Sequence, residues 1–303
     1  MEEVVYSTGW LRKGNIFAFP HDWQRPAKTE QWAYEKLIQQ KNSDIYTQYI
    51  CFPWATLVDY LNYNPDKAAD LLKALDNGPP IYAINVKTFC QHIYALKLIP
   101  FFKKMGITAV YWSHKVKGQD EVEGIKFKPY SLYPVMYHKR KQNKKTKPLS
   151  ERKYLYSFIG SYQPNLYLTE VRKWIFDLPQ RNDAVVIERG KWHFEQDVYD
   201  RQLQGVAEDK ASAEVRKKYE EEYIEVMEES VFCLCPSGSG PNSIRLWEAI
   251  EFGCVPILLS DHLDVDCATE SQIIRVREEQ ESVKALPSLL NRCKKRLNKP
   301  KNI

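Results

Sequence analysis

The sequence predicts an α/β protein built on parallel sheets, and three observations predict it. Short apolar runs rich in strand formers alternate with helical stretches through the first half. The same alternation returns in the second half. Between residues 231 and 261 a strand, a glycine loop, a helix and a second strand follow one another without a break. Strands spaced by helices are the pattern of βαβ units. A length of 303 residues leaves room for two domains of ordinary size. The expected division is one domain over 1–150, closing in a basic linker at about 138–150, and a second over 151–303.

In the first half, 16–19 reads as a short strand ending at Pro20-His21-Asp22, and 31–40 as a helix. The next strand is 49–52, followed by a Pro53-Trp54 turn and then Asp59. A helix over 66–75 closes at Gly78-Pro79-Pro80. Strands are expected at 81–86 and 107–112 with a helix near 94–104 between them. Further strands are expected at 125–127 and 132–137. In the second half, 154–159 is a strand, Gly160-Ser161-Tyr162 a turn, 168–176 a helix and 184–188 a strand. Residues 211–229 form a long helix with Val215, Tyr219, Tyr223 and Val226 on one stripe. The last segment, 281–295, is helical.

The run from Val231 to Asp261 carries the most chemistry. Apolar residues 231–235 form a strand bounded by Pro236 and Gly238. Gly240 suits the helix N-cap and Pro241 the first helical position, where its missing N–H costs nothing. Gly253 stops the helix, and 255–259 is a second buried strand. A loop at a helix N-terminus after a strand presents main-chain N–H groups and partial positive charge, a site for an anion and best for phosphate. Arg245 adds a fork of donors. Glu248, on the same face, suits a sugar hydroxyl pair. The same spacing also fits an ordinary strand-to-helix turn with a surface i,i+3 pair. The loop lacks the Lys-Ser/Thr ending of a nucleoside-triphosphate loop and the G-x-G-x-x-G spacing of a dinucleotide fold.

Composition narrows the classes. Apolar content of 44% and aromatic content of 13% support packed cores and exclude wholesale disorder. Seven cysteines are an odd number with no disulfide or zinc spacing, and they read as free thiols of a reducing compartment. No stretch approaches the ~20 apolar residues of a membrane helix. Met1-Glu-Glu is acidic where a signal peptide is basic, so the expected location is cytoplasmic. The net charge of +5 is local: Lys139, Arg140, Lys141, Lys144, Lys145 and Lys147 supply six positive charges, and without them the chain would carry +5 − 6 = −1. A solvated linker explains that run. A nucleic-acid patch is the alternative, although no aromatic residue within it would stack bases.

The segment SVFCLCPSGSGPNSIRLWEAIEFGCVPILLSD resembles the signature of the exostosin-like glycosyltransferases: Phe-Cys-Leu-x-Pro, a glycine loop, Ser-x-Arg-Leu-x-Glu-Ala, Gly-Cys-Val-Pro and an Asp-ending strand. YLYSFIGSYQPNLYLTEVRKWIFDL (154–178) resembles the family's strand, glycine turn and Arg-bearing helix. The resemblance covers roughly 154–261. It implies a GT-B fold, with two Rossmann-like domains facing each other across a cleft and a last helix crossing back to the first. It also implies a UDP-sugar held by the C-terminal domain, transfer with inversion, and no bound metal or other cofactor. The absence of a membrane segment is similar to the short, soluble members of bacteria and large viruses. The sugar is left open among UDP-xylose, UDP-hexoses and UDP-uronic acids. The expected acceptor is an oligosaccharide or a glycoprotein glycan, and no nucleic acid is expected. A non-catalytic nucleotide-sugar or carbohydrate binder, and a nucleic-acid-associated protein using the 139–147 run, are the alternatives.

The chemistry needs three jobs done: stabilising the diphosphate, orienting the donor and deprotonating the acceptor. For the donor, the candidates are Gly160, Ser161, Arg189, Ser237, Gly238, Ser239, Gly240, Asn242, Ser243 and Arg245, with Glu248 on the ribose as the resemblance implies. The loops at the carboxyl ends of parallel strands place them. For the base, the candidates are Asp59, then His92, then Asp22, each following an early strand. Capping and surface roles compete for each. Asp264-Val-Asp266 matches an Asp-x-Asp metal signature of another glycosyltransferase fold. Too little chain follows it here for that architecture, so no metal ligand is assigned.

Overall fold

The computed structural model describes residues 3–40, 44–141, 145–190 and 196–297. They divide into two units: the described residues of Met1–Tyr133 with Gln196–Ala207, and those of Pro134–Glu195 with Glu208–Ile303. The division lies upstream of the 138–150 stretch where the basic run suggests a linker, and Lys144 of that run lies outside the described residues. No helix among them is long and apolar enough to cross a membrane.

The first unit opens with β1 (Glu3–Val5), β2 (Leu11–Lys13) and β3 (Ile16–Ala18), then α1 (Thr29–Gln39) and β4 (Thr47–Cys51). It continues with α2 (Trp54–Tyr63), α3 (Ala68–Asp76), β5 (Asn85–Cys90), α4 (Ile99–Lys104), β6 (Ala109–Trp112), β7 (Glu121–Val122) and β8 (Ile125–Pro129). The sheet order is β1-β2-β3-β4-β5-β6-β8-β7. Its centre, from β3 to β8, is parallel, and antiparallel pairs close both edges. Alternation along β3 sorts two cores. Phe17 joins the cluster beneath α2, α3 and α4, with Trp54, Leu71 and Phe102, whereas Ile16 and Ala18 pack with Ala33 and Leu37 of α1. The returning segment Gln196–Leu203 is a π-helical turn whose Leu203 enters the larger core.

The second unit holds α5 (Val135–Lys139), β9 (Tyr154–Gly160), α6 (Val171–Phe176), β10 (Ala184–Glu188), α7 (Lys210–Glu228) and β11 (Ser230–Pro236). After these come α8 (Ile244–Glu251), β12 (Val255–Leu259), α9 (Cys267–Glu270), β13 (Ile274–Arg275) and α10 (Gln280–Leu297). All five strands are parallel, in the order β10-β9-β11-β12-β13. Every residue of β11 is buried, as its unbroken apolar run requires at the centre of a covered parallel sheet. Val283, Leu286 and Leu290 of α10 pack in the same core as Val171 and Ile175 of α6.

Four readings are corrected. The expected strand at 81–86 starts at Asn85 and runs to Cys90, because β4 begins only at Thr47 and offers no partner further upstream; Ile81, Tyr82 and Ile84 stay exposed. The expected strand at 132–137 is helix α5, entered at Pro134. Asp59 follows no simple turn but sits within α2, whose sequence WATLVDYLNY buries one residue after another. Helix α8 starts at Ile244 with Ser243 as N-cap, rather than at Gly240 and Pro241. The Gly240 carbonyl instead accepts from Gly238 N–H at 2.9 Å, which closes a tight loop before the helix begins.

Candidate functional site

In the second unit the strand order reverses direction between β9 and β11, since β10 lies beyond β9 on one side and β12 beyond β11 on the other. Loops leaving the carboxyl ends of two such strands diverge and open a crevice, which is where doubly wound sheets bind ligands. Gly160 and Ser161 leave β9 there, and Ser237 and Gly238 leave β11.

Two arginines converge on this point. Arg245 is the second residue of α8 and Arg172 the second residue of α6, so each lies in the first turn of the helix that follows its strand. Arg172 Nε donates to the Ser237 carbonyl at 2.8 Å and Nη1 to the Ser161 carbonyl at 3.2 Å, tying both loops together. Arg245 Nη2 donates to the Ile159 carbonyl. A Cβ added at Gly160 would lie 3.3 Å from Arg245 Nη2 and 3.5 Å from Arg172 Nη1, so both guanidinium groups border the same glycine. Both side chains are buried. Arg245 lies over the Phe158 ring at 4.5 Å and Arg172 over Tyr167 at 4.4 Å. Burial first, and the charge of Arg245 second, push Arg172 down to about 10, which leaves it cationic at neutral pH. Arg245 Nε is buried with no hydrogen-bond partner among the described residues. Two buried cations bonded to main-chain carbonyls, one with an orphaned donor, form a site suited to an anion.

The other donor-site candidates divide by what they touch. Ser161 is buried with its hydroxyl 2.7 Å from the Tyr167 hydroxyl. The Ser237 hydroxyl donates to Glu278, and the main-chain N–H groups of Ser237 and Gly238 go to Leu259 and Gly240 carbonyls, so these groups shape the loop. Asn242 Oδ1 accepts from Trp247 Nε1 at 3.0 Å. Ser239 is exposed, and Ser243 caps α8 through its backbone alone. Arg189 stands after β10, pairs with Glu222 and covers the Tyr219 ring at 3.9 Å. Glu248 is buried in the unit: Oε1 accepts from Met136 N–H at 2.9 Å and Oε2 from the Tyr223 hydroxyl at 2.7 Å. Burial raises its carboxyl, and these two donors oppose the rise. Asp266 caps α9 by accepting from Thr269 N–H at 2.7 Å.

Three of the six basic residues of the run are engaged within their own unit. Lys139 pairs with Glu220 at 2.5 Å, Arg140 with Glu228 at 3.0 Å, and Lys147 with Glu229, all three carboxylates lying on or just after α7. Their charge is therefore compensated where a polyanion patch would need it free.

In the first unit the carboxyl ends of β3, β4 and β5 gather a second polar cluster. Two of the base candidates meet there: His92 Nε2 is 3.2 Å from Asp59 Oδ1. Their side chains are 11% and 10% exposed, enough to reach solvent. Gln24 donates to the other carboxylate oxygen, Oδ2. Asp22 is exposed, adopts a left-handed backbone (φ 56°), and contributes its carbonyl to the Thr56 hydroxyl at 2.6 Å. His114, after β6, is buried and pushed down to about 3, by burial first and His92 second, so it is neutral. Glu30, in α1, is buried and accepts from Gln91 N–H at 3.1 Å and Ala55 N–H at 3.2 Å. Burial outweighs these bonds and pushes its carboxyl up to about 8.

Sequence reasoning missed Arg172, Tyr223, Gln24, Glu30 and Gln91. For Arg172 a signal existed: two strands are each followed by a glycine turn and a helix bearing arginine at its second residue. For the glutamines and Glu30 the partners lie 25 to 67 residues apart in the chain, and no local pattern marks them.

A family model described as the exostosin GT47 domain matches residues 105–292. It extends the likeness upstream of 154 and downstream of 261. A probable glucuronosyltransferase of Oryza sativa subsp. japonica is 43% identical over 70 residues, covering 22% of this chain and 16% of its own length. A second from the same plant is 54% identical over 41 residues, covering 14% of this chain and 10% of its own. A probable beta-1,4-xylosyltransferase of Arabidopsis thaliana is 49% identical over 41 residues, again covering 14% and 10%. The matched stretches thus span no more than a sixth of these relatives.

Proposed function

We propose that this chain, which belongs to the exostosin GT47 family, transfers a sugar from a UDP-sugar to a hydroxyl group of a glycan, with inversion at the anomeric carbon and without a bound metal. The observation that carries the reading is the pair of buried arginines at the β9/β11 switch point, with Arg245 Nε lacking a partner among the described residues. A diphosphate there would meet two fixed cations in a water-poor site, where preorganised charge stabilises a leaving group most. The same proposal takes the two α/β units as the Rossmann-like halves of a GT-B enzyme. It needs no cofactor beyond the donor.

The donor half is the second unit. Arg245 and Arg172 hold the diphosphate, the N-terminal amides of α8 add partial positive charge, and Glu248 is assigned to the ribose. The acceptor half is the first unit. Single displacement with inversion needs one base for the acceptor hydroxyl. Asp59 is that base. Both nitrogens of the His92 ring are occupied, Nδ1 by Tyr94 N–H at 3.0 Å and Nε2 by Asp59, so His92 orients Asp59 rather than taking the proton itself. The names of the plant relatives, probable glucuronosyl- and beta-1,4-xylosyltransferases, make UDP-xylose and UDP-glucuronate the first donors to test, with xylo-oligosaccharides as first acceptors.

Calorimetric titration with UDP and UDP-sugars, with and without EDTA, tests the donor half. UDP binding that ignores EDTA is expected, and the tightest UDP-sugar identifies the donor. Binding lost on chelation would overturn metal independence. Absence of nucleotide binding would overturn the proposal. Donor binding with no sugar transfer to any acceptor would leave a nucleotide-sugar binder.

A further inference from the structure

The Asp59–His92 pair is not isolated. Asp59 Oδ2 accepts from Gln24 Nε2, Gln24 Oε1 accepts from Gln91 Nε2, and Gln91 Oε1 accepts from the main-chain N–H of Glu30 at 3.3 Å. The direction of this chain is set at its far end. A main-chain N–H can only donate, so Gln91 must turn its oxygen to Glu30 and its NH2 to Gln24. Gln24 must then turn its own oxygen to Gln91 and its NH2 to Asp59. A flipped Gln24 would set its carbonyl against a carboxylate and its NH2 against an NH2.

The ends of the chain are also fixed. Glu30 N–H belongs to the first turn of α1, where main-chain donors lack partners inside the helix. The Glu30 carboxyl accepts from Gln91 N–H and from Ala55 N–H, in the first turn of α2. Asp59 lies four residues further along that same helix. The loop bearing Gln24 is clamped by the returning segment: Gln202 accepts from Arg25 N–H at 2.9 Å and donates to the Trp23 carbonyl at 3.3 Å and the Thr56 hydroxyl at 3.2 Å. The relay closes on the helix that carries the carboxylate it addresses.

We propose that Gln24 is a positioning residue that holds Asp59 in its reactive rotamer, at the end of a one-way hydrogen-bond relay running from Glu30 through Gln91. The proposal rests on Asp59 being the base of the transfer. Gln24 presents a donor whose orientation the main chain dictates, so one oxygen of Asp59 is pinned and the carboxylate cannot rotate away from the acceptor hydroxyl.

Transfer from the donor that binds tightest to a xylo-oligosaccharide is measured as UDP release for Gln24→Ala, Asp59→Asn and the double variant. Gln24→Ala is expected to lower kcat roughly 10- to 100-fold with UDP affinity unchanged, the size of one lost hydrogen bond to a charged group. In the Asp59→Asn background it is expected to cost nothing further, which a merely structural role would not produce. Turnover retained by Gln24→Ala while Asp59→Asn loses it would overturn the relay alone. Turnover retained by Asp59→Asn would overturn the base assignment and the relay with it. A second readout needs no activity. The side-chain amide protons of Gln24, identified by their loss in Gln24→Ala, are expected away from free-glutamine positions in NMR spectra and are expected to move in Asp59→Asn. Free-glutamine positions in the wild-type protein would overturn the relay whatever the kinetics show.

Discussion

His92 Nε2 stands 3.2 Å from Asp59 Oδ1, while Nδ1 of the same ring accepts the main-chain N–H of Tyr94 at 3.0 Å. Because Nδ1 accepts from Tyr94 N–H, the ring N–H is the one on Nε2, facing the carboxylate. Residues 33 apart in sequence thereby act as one unit, a carboxylate with a tautomer-fixed imidazole.

Asp59→Asn is expected to lower kcat by about 10²- to 10⁴-fold, the range for general base catalysis. UDP affinity should stay unchanged, because the proposed donor site draws its residues from the other unit. His92→Gln, which keeps a donor of similar reach, should cost about tenfold or less. Steady-state kinetics beside UDP calorimetry separate the two effects. An Asp59→Asn enzyme at full rate would move the base elsewhere.

Arg245→Ala should weaken UDP binding by roughly 1.5–3 kcal/mol, the range for a hydrogen bond to a charged group. Arg245→Lys should recover only part, since a lysine head lacks the fork that serves the Ile159 carbonyl and an anion together. Arg172→Ala should weaken binding as well and also loosen the loops, because its guanidinium links Ser161 to Ser237. Unchanged UDP affinity in a folded Arg245→Ala protein would remove that residue from the phosphate site.

The second unit was the more legible half. Its strands, β9, β10, β11 and β12, stand where continuous apolar runs put them, and Arg245 is named by a loop–helix pattern within one stretch of chain. The first unit was legible as alternation but not as a site. Helix α2 was hidden because WATLVDYLNY follows directly on a strand and carries no capping residue, its N-cap being Pro53. With it went the placement of Asp59. Helix α5 was hidden because VMYHK reads equally as a strand, and what decides is Met136 N–H meeting the Glu248 carboxylate 112 residues away. Contacts of that separation leave no local trace.

Glu30 gives the first unit a pH dependence. Its carboxyl ionises near 4.5 in the unfolded chain and at about 8 in the folded unit, mainly because it is buried. The folded state keeps the proton that the unfolded state has released between those values. Stability is therefore complete below about 4.5 and falls as pH rises to about 8, then levels. Glu30→Gln removes the titration while keeping one acceptor oxygen for the amides. Thermal melts at pH 5 and pH 9 should show a large drop for the wild-type protein and a smaller one for Glu30→Gln. Equal drops would place the pH sensitivity in another group.

Glu248 separates a structural duty from a binding one. Its two oxygens already hold Met136 N–H and the Tyr223 hydroxyl, so Glu248→Ala strands two buried donors at about 1–3 kcal/mol each. The melting temperature should fall markedly. Glu248→Gln leaves Oε1 for Met136, and the Tyr223 hydroxyl can turn to accept from the new amide, so stability should change by only about 1 kcal/mol. If Glu248 also receives the ribose hydroxyls, Glu248→Gln weakens uridine and UDP binding alike while the fold stands, because a charged acceptor has been replaced by a neutral amide. That is the expected result, read by calorimetry on both ligands. Unchanged uridine affinity in Glu248→Gln would confine Glu248 to tying the α5 turn onto α8.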